Sequence, residues 1–188
     1  MKLLIALAAA GLYLTFLSVG GPSPTHATSA LPQASASKTQ PVQTTLAKDS
    51  QSDKWGEVAF NHETHSTKNY SADGTAIIGC VDCHHTDQPK ASLKAPYSTS
   101  ERDTVLTTPS LADDKSAPVK TCRSCHGQKG DDSVQSPAKS DGTKLFNDVA
   151  YHSNCNTCHD AANTARPELK AKGLPGSNDC GKCHKPLT

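Results

Sequence analysis

Apolar bulk is what this chain has least of. Of the 134 residues from Trp55 to Thr188, only 17 are Leu, Val, Ile or Phe, about 13%, below the roughly 20% under which a chain stops looking able to build a side-chain core. It carries one Met, one Trp and an aromatic fraction of 4%. It also lacks a charge excess, with 19 Lys+Arg against 18 Asp+Glu. The strong net charge that usually accompanies disorder in apolar-poor chains is therefore missing, and so is the basic balance that a nucleic-acid partner would require. An ordinary hydrophobic core is excluded, and something other than side chains must supply the interior. The length of 188 residues allows one domain or two small ones.

The one long apolar run lies at the N-terminus, from Leu3 to Val19. Lys2 precedes it, Gly20, Gly21 and Pro22 follow it, and Thr25-His26-Ala27 fits a small-residue cleavage site. Residues 1–27 read as a secretory signal peptide cut near Ala27, so the remainder is expected in the periplasm. The alternative is an uncleaved anchor, because about 17 apolar residues reach the lower edge of a membrane span. Membrane contact is expected only in that case. Residues 28–54 are rich in Ser, Thr, Gln and Ala, contain Pro32 and Pro41, and read as a flexible linker. Residues 55–188 form the functional domain.

The eight cysteines are all used by one repeated pattern: Cys80-Val81-Asp82-Cys83-His84, Cys122-Arg123-Ser124-Cys125-His126, Cys155-Asn156-Thr157-Cys158-His159 and Cys180-Gly181-Lys182-Cys183-His184. C-x-x-C-H is the attachment motif of c-type haem. On one helical turn the first Cys and the His are i and i+4 and share a face, so two thioether bonds hold the porphyrin edge while the His nitrogen binds iron. Four disulfides or zinc held by paired C-x-x-C units are the competing readings, and neither requires a His after every second Cys. Four covalent c-type haems are expected.

Each iron then needs a sixth ligand. Met1 is the only Met and goes with the signal, which removes axial methionine. His26 lies within the signal. Outside the motifs the rest of the chain has His62, His65, His85 and His152, four ligands for four irons. Catalysis at haem needs an open iron position, and this count fills all eight axial sites. The chain reads as an electron carrier rather than an enzyme.

Phe60-Asn61-His62-Glu63-Thr64-His65, the His85 directly after the first motif, and His152 shortly before the third resemble the class III tetrahaem cytochromes c of low potential, over roughly residues 55–188. The resemblance implies His62 with His84 on haem 1, His85 with His126 on haem 2, His65 with His159 on haem 3 and His152 with His184 on haem 4. It implies lysines around haem 4 as a docking surface for a redox partner; here Lys182 and Lys185 are the candidates. In this sequence the stretches 66–79 and 86–121 are longer than in the compact family pattern, and all four sites are C-x-x-C-H where the family often widens the second and fourth.

The expected fold is mostly irregular, with a few short α-helices and a minimal β-strand, organised compactly around four haems. A short strand is expected at 57–60, a helix over Ser140–Ala150 with Leu145, Phe146 and Val149 on one face, and a helical turn at Pro167–Lys172 with Pro at its first position. A 134-residue domain has a radius of gyration of about 14 Å, so four irons are held within roughly 10–20 Å of one another. Two imidazoles per iron and solvent nearby favour low potentials. The expected role is carriage of electrons from a dehydrogenase or hydrogenase to a membrane or extracellular reductase in anaerobic respiration. A haem reductase with one unligated His, and a protomer of an extracellular haem filament or respiratory complex, are the alternatives.

Overall fold

The computed structural model describes residues 39–187 apart from 95, 96, 98 and 101. The signal peptide at 1–27, His26 and the first part of the stretch read as linker lie outside the described residues.

A three-stranded antiparallel sheet, β1 (Gln43–Leu46), β2 (Trp55–Asn61) and β3 (His184–Pro186), has β2 at its centre. Gln43 pairs with Asn61 and Leu46 with Val58 on one side, and Val58 with His184 and Trp55 with Pro186 on the other. The strand expected at 57–60 is thus the middle of β2. β1 corrects the linker expectation for residues 43–46: Thr44 and Thr45 are β-branched and suit a strand, and β2 offers them an edge. Further on, the Asp49 carboxylate pairs with Arg123, and Gln128 Nε2 donates to the Asp49 carbonyl at 2.9 Å. This segment is tied to the second C-x-x-C-H motif.

The helices are short except one: α1 (His62–Thr67), α2 (Cys80–Cys83), α3 (Thr108–Ala112), α4 (Asn147–Ala165), α5 (Pro167–Ala171) and α6 (Cys180–Cys183). Asn61 ends β2 and starts α1, its side chain accepting from Thr64 N at 2.8 Å. Pro167 opens α5 as expected, and Gly173, at φ +97°, follows it in the left-handed region that favours glycine.

The helix expected over Ser140–Ala150 is displaced. Asp141 Oδ1 accepts from Thr143 N at 2.9 Å and Gly142 sits at φ +83°, so this segment turns instead of coiling. The helix begins at Asn147 and runs 19 residues through the third motif. Sequence periodicity missed it because the helix carries ligand-type residues where an apolar stripe would stand.

Two arginines tie the long stretches down. Arg102 donates to Asp87 Oδ1 at 2.6 Å, to Ser116 Oγ at 2.8 Å and to the Ala117 carbonyl at 2.6 Å, with Arg102 and Asp87 both buried. Arg166 donates to the Ala72 and Ser71 carbonyls at 3.0 and 2.9 Å. Gly74 faces that guanidinium so closely that a Cβ there would clash with Arg166 Nη1.

The described hydrophobic core consists of Leu106, Leu111 and Ala162, and no described side chain is less than 2% exposed. The polypeptide does not fill its own interior with side chains, in keeping with its apolar poverty.

Candidate haem centres

The first, third and fourth motifs are α-helical and the second is a 3-10 turn. The His84 amide donates to the Cys80 carbonyl, His126 to Cys122 and His184 to Cys180, the i to i+4 bond of one helical turn. The third motif, Cys155–His159, lies inside α4. Gly79 N donates to Asp82 Oδ2 at 2.7 Å and fixes the start of α2. Each first Cys is thereby stacked over its own His.

The histidines meet in four pairs. Ring centroids lie 6.4 Å apart for His62 and His84, 6.4 Å for His65 and His159, 6.2 Å for His85 and His126, and 6.0 Å for His152 and His184. Every pair joins one motif histidine to one histidine outside the motifs. A metal–imidazole bond is about 2.0–2.1 Å. Adding roughly 1.1 Å from nitrogen to ring centre on each side, two rings facing across one iron stand about 6.3 Å apart. The four spacings fit that span.

Hydrogen bonds fix which nitrogen is available. His65 Nδ1 lies 2.8 Å from the Asn61 carbonyl, His126 Nδ1 2.6 Å from Leu145, His159 Nδ1 3.1 Å from Pro175 and His184 Nδ1 2.7 Å from Gly56. A carbonyl only accepts, so Nδ1 carries the proton and Nε2 keeps the lone pair a metal needs. His62 Nδ1 and His85 Nδ1 are buried and make no hydrogen bond, although the Pro41 carbonyl stands near enough to His62 to favour its charged form slightly.

Burial pushes the pKa of His62, His84 and His85 down, aided at His62 by His84 and at His85 by His126. Neutral imidazole is the ligating form. Burial pushes the thiols of Cys80, Cys122 and Cys183 up. No cysteine is bonded to another. Among the described residues no three His, Cys, Asp or Glu side chains converge on one point, as a tetrahedral zinc site demands. The donor set is of a kind haem takes: Cys80, Cys83, Cys122, Cys125, Cys155, Cys158, Cys180 and Cys183 stand in C-x-x-C-H motifs, and the eight histidines outside the N-terminal stretch meet in four pairs.

Each pair is wired to the next by a shared element. Adjacent His84 and His85 belong to two pairs. So do His62 and His65 on α1, with the Phe60 ring 4.7 and 4.6 Å from theirs. His152 and His159 stand seven residues apart on α4, about 10 Å along the axis. Sequence reasoning missed the backbone carbonyls that orient the rings and missed Tyr97, whose ring stacks on His85 at 5.0 Å; no local pattern announces either.

Among the described residues no helix is long and apolar enough to cross a membrane. A family model described as the class III cytochrome C family matches residues 36–184. No curated protein and no solved structure matches this chain.

Proposed function

The chain belongs to the class III cytochrome c family, whose members are multihaem electron-transfer proteins, and from that premise we propose that it holds four bis-histidine c-type haems and carries electrons at low potential outside the cytoplasm. His62–His84, His85–His126, His65–His159 and His152–His184 would hold the four irons, and the eight cysteines would hold the porphyrins. Bound haem supplies one-electron chemistry at iron. The protein's part is to fill both axial positions, exclude small ligands and hold the centres close.

The single observation that carries this reading is the spacing of the four ring pairs, 6.0–6.4 Å, with one motif histidine in each. Two imidazoles per iron stabilise the ferric state relative to an axial thioether, which favours low potential. Consecutive centres on His84-His85, on α1 and on α4 give a path from haem 2 through haem 1 and haem 3 to haem 4. The donor is a dehydrogenase or hydrogenase and the acceptor a membrane or extracellular reductase of anaerobic respiration. Lys182 and Lys185 are the docking candidates beside haem 4. Asp179 lies 3.7 Å from Lys182, and Glu57 pairs with Lys185, so the acidic surface of a partner has to compete with these carboxylates.

Intact mass together with the visible spectrum, on protein made in a host able to attach haem, tests the reading. The expected result is the mass of four haems, a low-spin spectrum, and no change on adding carbon monoxide to the reduced protein. A colourless folded product, or carbon monoxide binding at one haem, would sink it; the latter points to the reductase.

A further inference from the structure

The four histidine pairs differ in twist. The ring planes are nearly parallel for His62–His84 and His65–His159, at 11° and 10°, and crossed for His85–His126 and His152–His184, at 68° and 59°. Resting on the bis-histidine reading above, we propose that the four centres fall into two electronic classes, parallel at haems 1 and 3 and crossed at haems 2 and 4, and that Tyr97 of the long 86–121 stretch is the positioning residue that keeps His85 crossed.

The physical reason lies in how an imidazole donates. Its π density acts on the iron d orbital perpendicular to its own ring plane. Two parallel rings raise the same orbital and split it from its partner. Two crossed rings raise one orbital each and leave the two nearly equal. The hole of ferric iron sits in the highest orbital, so parallel rings stabilise the ferric form more and crossed rings favour the reduced form, an adjustment made through ligand orientation alone. In the order 2, 1, 3, 4 set by the shared elements, the crossed centres are the ends and the parallel ones the middle. Ligand orientation thus favours holding electrons at the two end haems.

What fixes the ring is visible as a carbonyl bond for four of the eight histidines. His126, His159 and His184 are held by Nδ1 bonds to the Leu145, Pro175 and Gly56 carbonyls, and His65 by its bond to the Asn61 carbonyl, with the Tyr70 ring edge-on at 5.7 Å. His85 is different. Its Nδ1 is buried without a hydrogen-bond partner, and the Tyr97 ring lies against it at 5.0 Å and 20°. Stacking does there what a carbonyl does elsewhere. Tyr97 is 48% exposed, so replacing it leaves the small core intact.

Electron paramagnetic resonance of the fully oxidised, full-length holoprotein at low temperature reads the twist directly, because split orbitals give three spread g values and near-equal orbitals give one strongly shifted low-field feature. The expected spectrum has two haems of each kind. In Tyr97→Leu one low-field signal moves into the spread class and one of the four potentials falls, while Tyr97→Phe keeps the parent spectrum. Four haems of a single class in the parent protein overturn the division. A Tyr97→Leu spectrum equal to the parent's, a high-spin haem in that variant, or the same change in Tyr97→Phe overturns the role of Tyr97. Low-spin bis-histidine haem at fewer than four places overturns the underlying reading as well, and the mass and spin state show which has failed.

Discussion

At the scale of single residues, each outer histidine has one partner and one job. His62→Ala removes one ring of a pair while leaving Cys80, Cys83 and His84 to hold the porphyrin. The expected outcome is one high-spin haem among four that binds carbon monoxide when reduced, seen in the difference spectrum; an unchanged low-spin spectrum would show that His62 is not a ligand. A second residue effect is electrostatic. The Asp73 carboxylate accepts from Ser71 Oγ at 2.6 Å and from Thr75 N at 3.1 Å, and these bonds hold its pKa down to about 2. A depressed folded pKa means that the turn's stabilisation is complete above the ordinary carboxylate value of about 3.9 and is lost only as pH falls toward the folded value. The Thr75 amide resonance should therefore titrate with a midpoint about 2; a midpoint at the ordinary carboxylate value would contradict the turn.

At the scale of elements, β2 and α4 act as the two struts. β2 reaches from the Gly56 carbonyl, which accepts from His184, to His62 at the start of α1, about 20 Å of extended chain. Gly56 is buried, and a Cβ there would stand 3.0 Å from Leu187 Cδ2 and 3.4 Å from the Lys185 carbonyl. Gly56→Val should therefore push β3 away, cost about 1–3 kcal/mol by overpacking and shift the potential of haem 4 alone. Denaturant unfolding and voltammetry check the two halves, and a change at all four haems would show that β2 does not act locally. These struts were unequally legible in the sequence. Residues 57–60, the middle of β2, read as a strand in the sequence, whereas α4 lacks the apolar stripe that announces a helix, and β1 owes its place to a partner far along the chain.

At the scale of the whole molecule, the described core of Leu106, Leu111 and Ala162 is too small to hold the fold by side-chain burial. On the proposed reading, segments that share an iron would be held by ligation, and metal binding would become folding free energy. Protein with all eight cysteines replaced by serine should be largely unfolded, with collapsed amide dispersion in its NMR spectrum; a well-dispersed spectrum would show that the chain folds without its haems. Docking belongs to the same scale. Charge reversal at Lys182 and Lys185 should slow electron transfer with an acidic partner and flatten the dependence of its rate on salt, and rates indifferent to the reversal would place the docking surface elsewhere.

The sequence by itself determined the four C-x-x-C-H motifs, because such a motif is local and needs only five consecutive residues to bring two thiols and an imidazole together. It also determined the stock of candidate ligands, because the eight histidines from His62 to His184 are a matter of counting. The tertiary structure alone decided which carbonyl orients each ring, how far each pair is twisted, and that Tyr97 lies on His85. Those features join residues up to 128 positions apart, as in the bond from His184 to Gly56. Contacts of that range depend on how strands, helices and loops close on one another, and no neighbouring residues encode them.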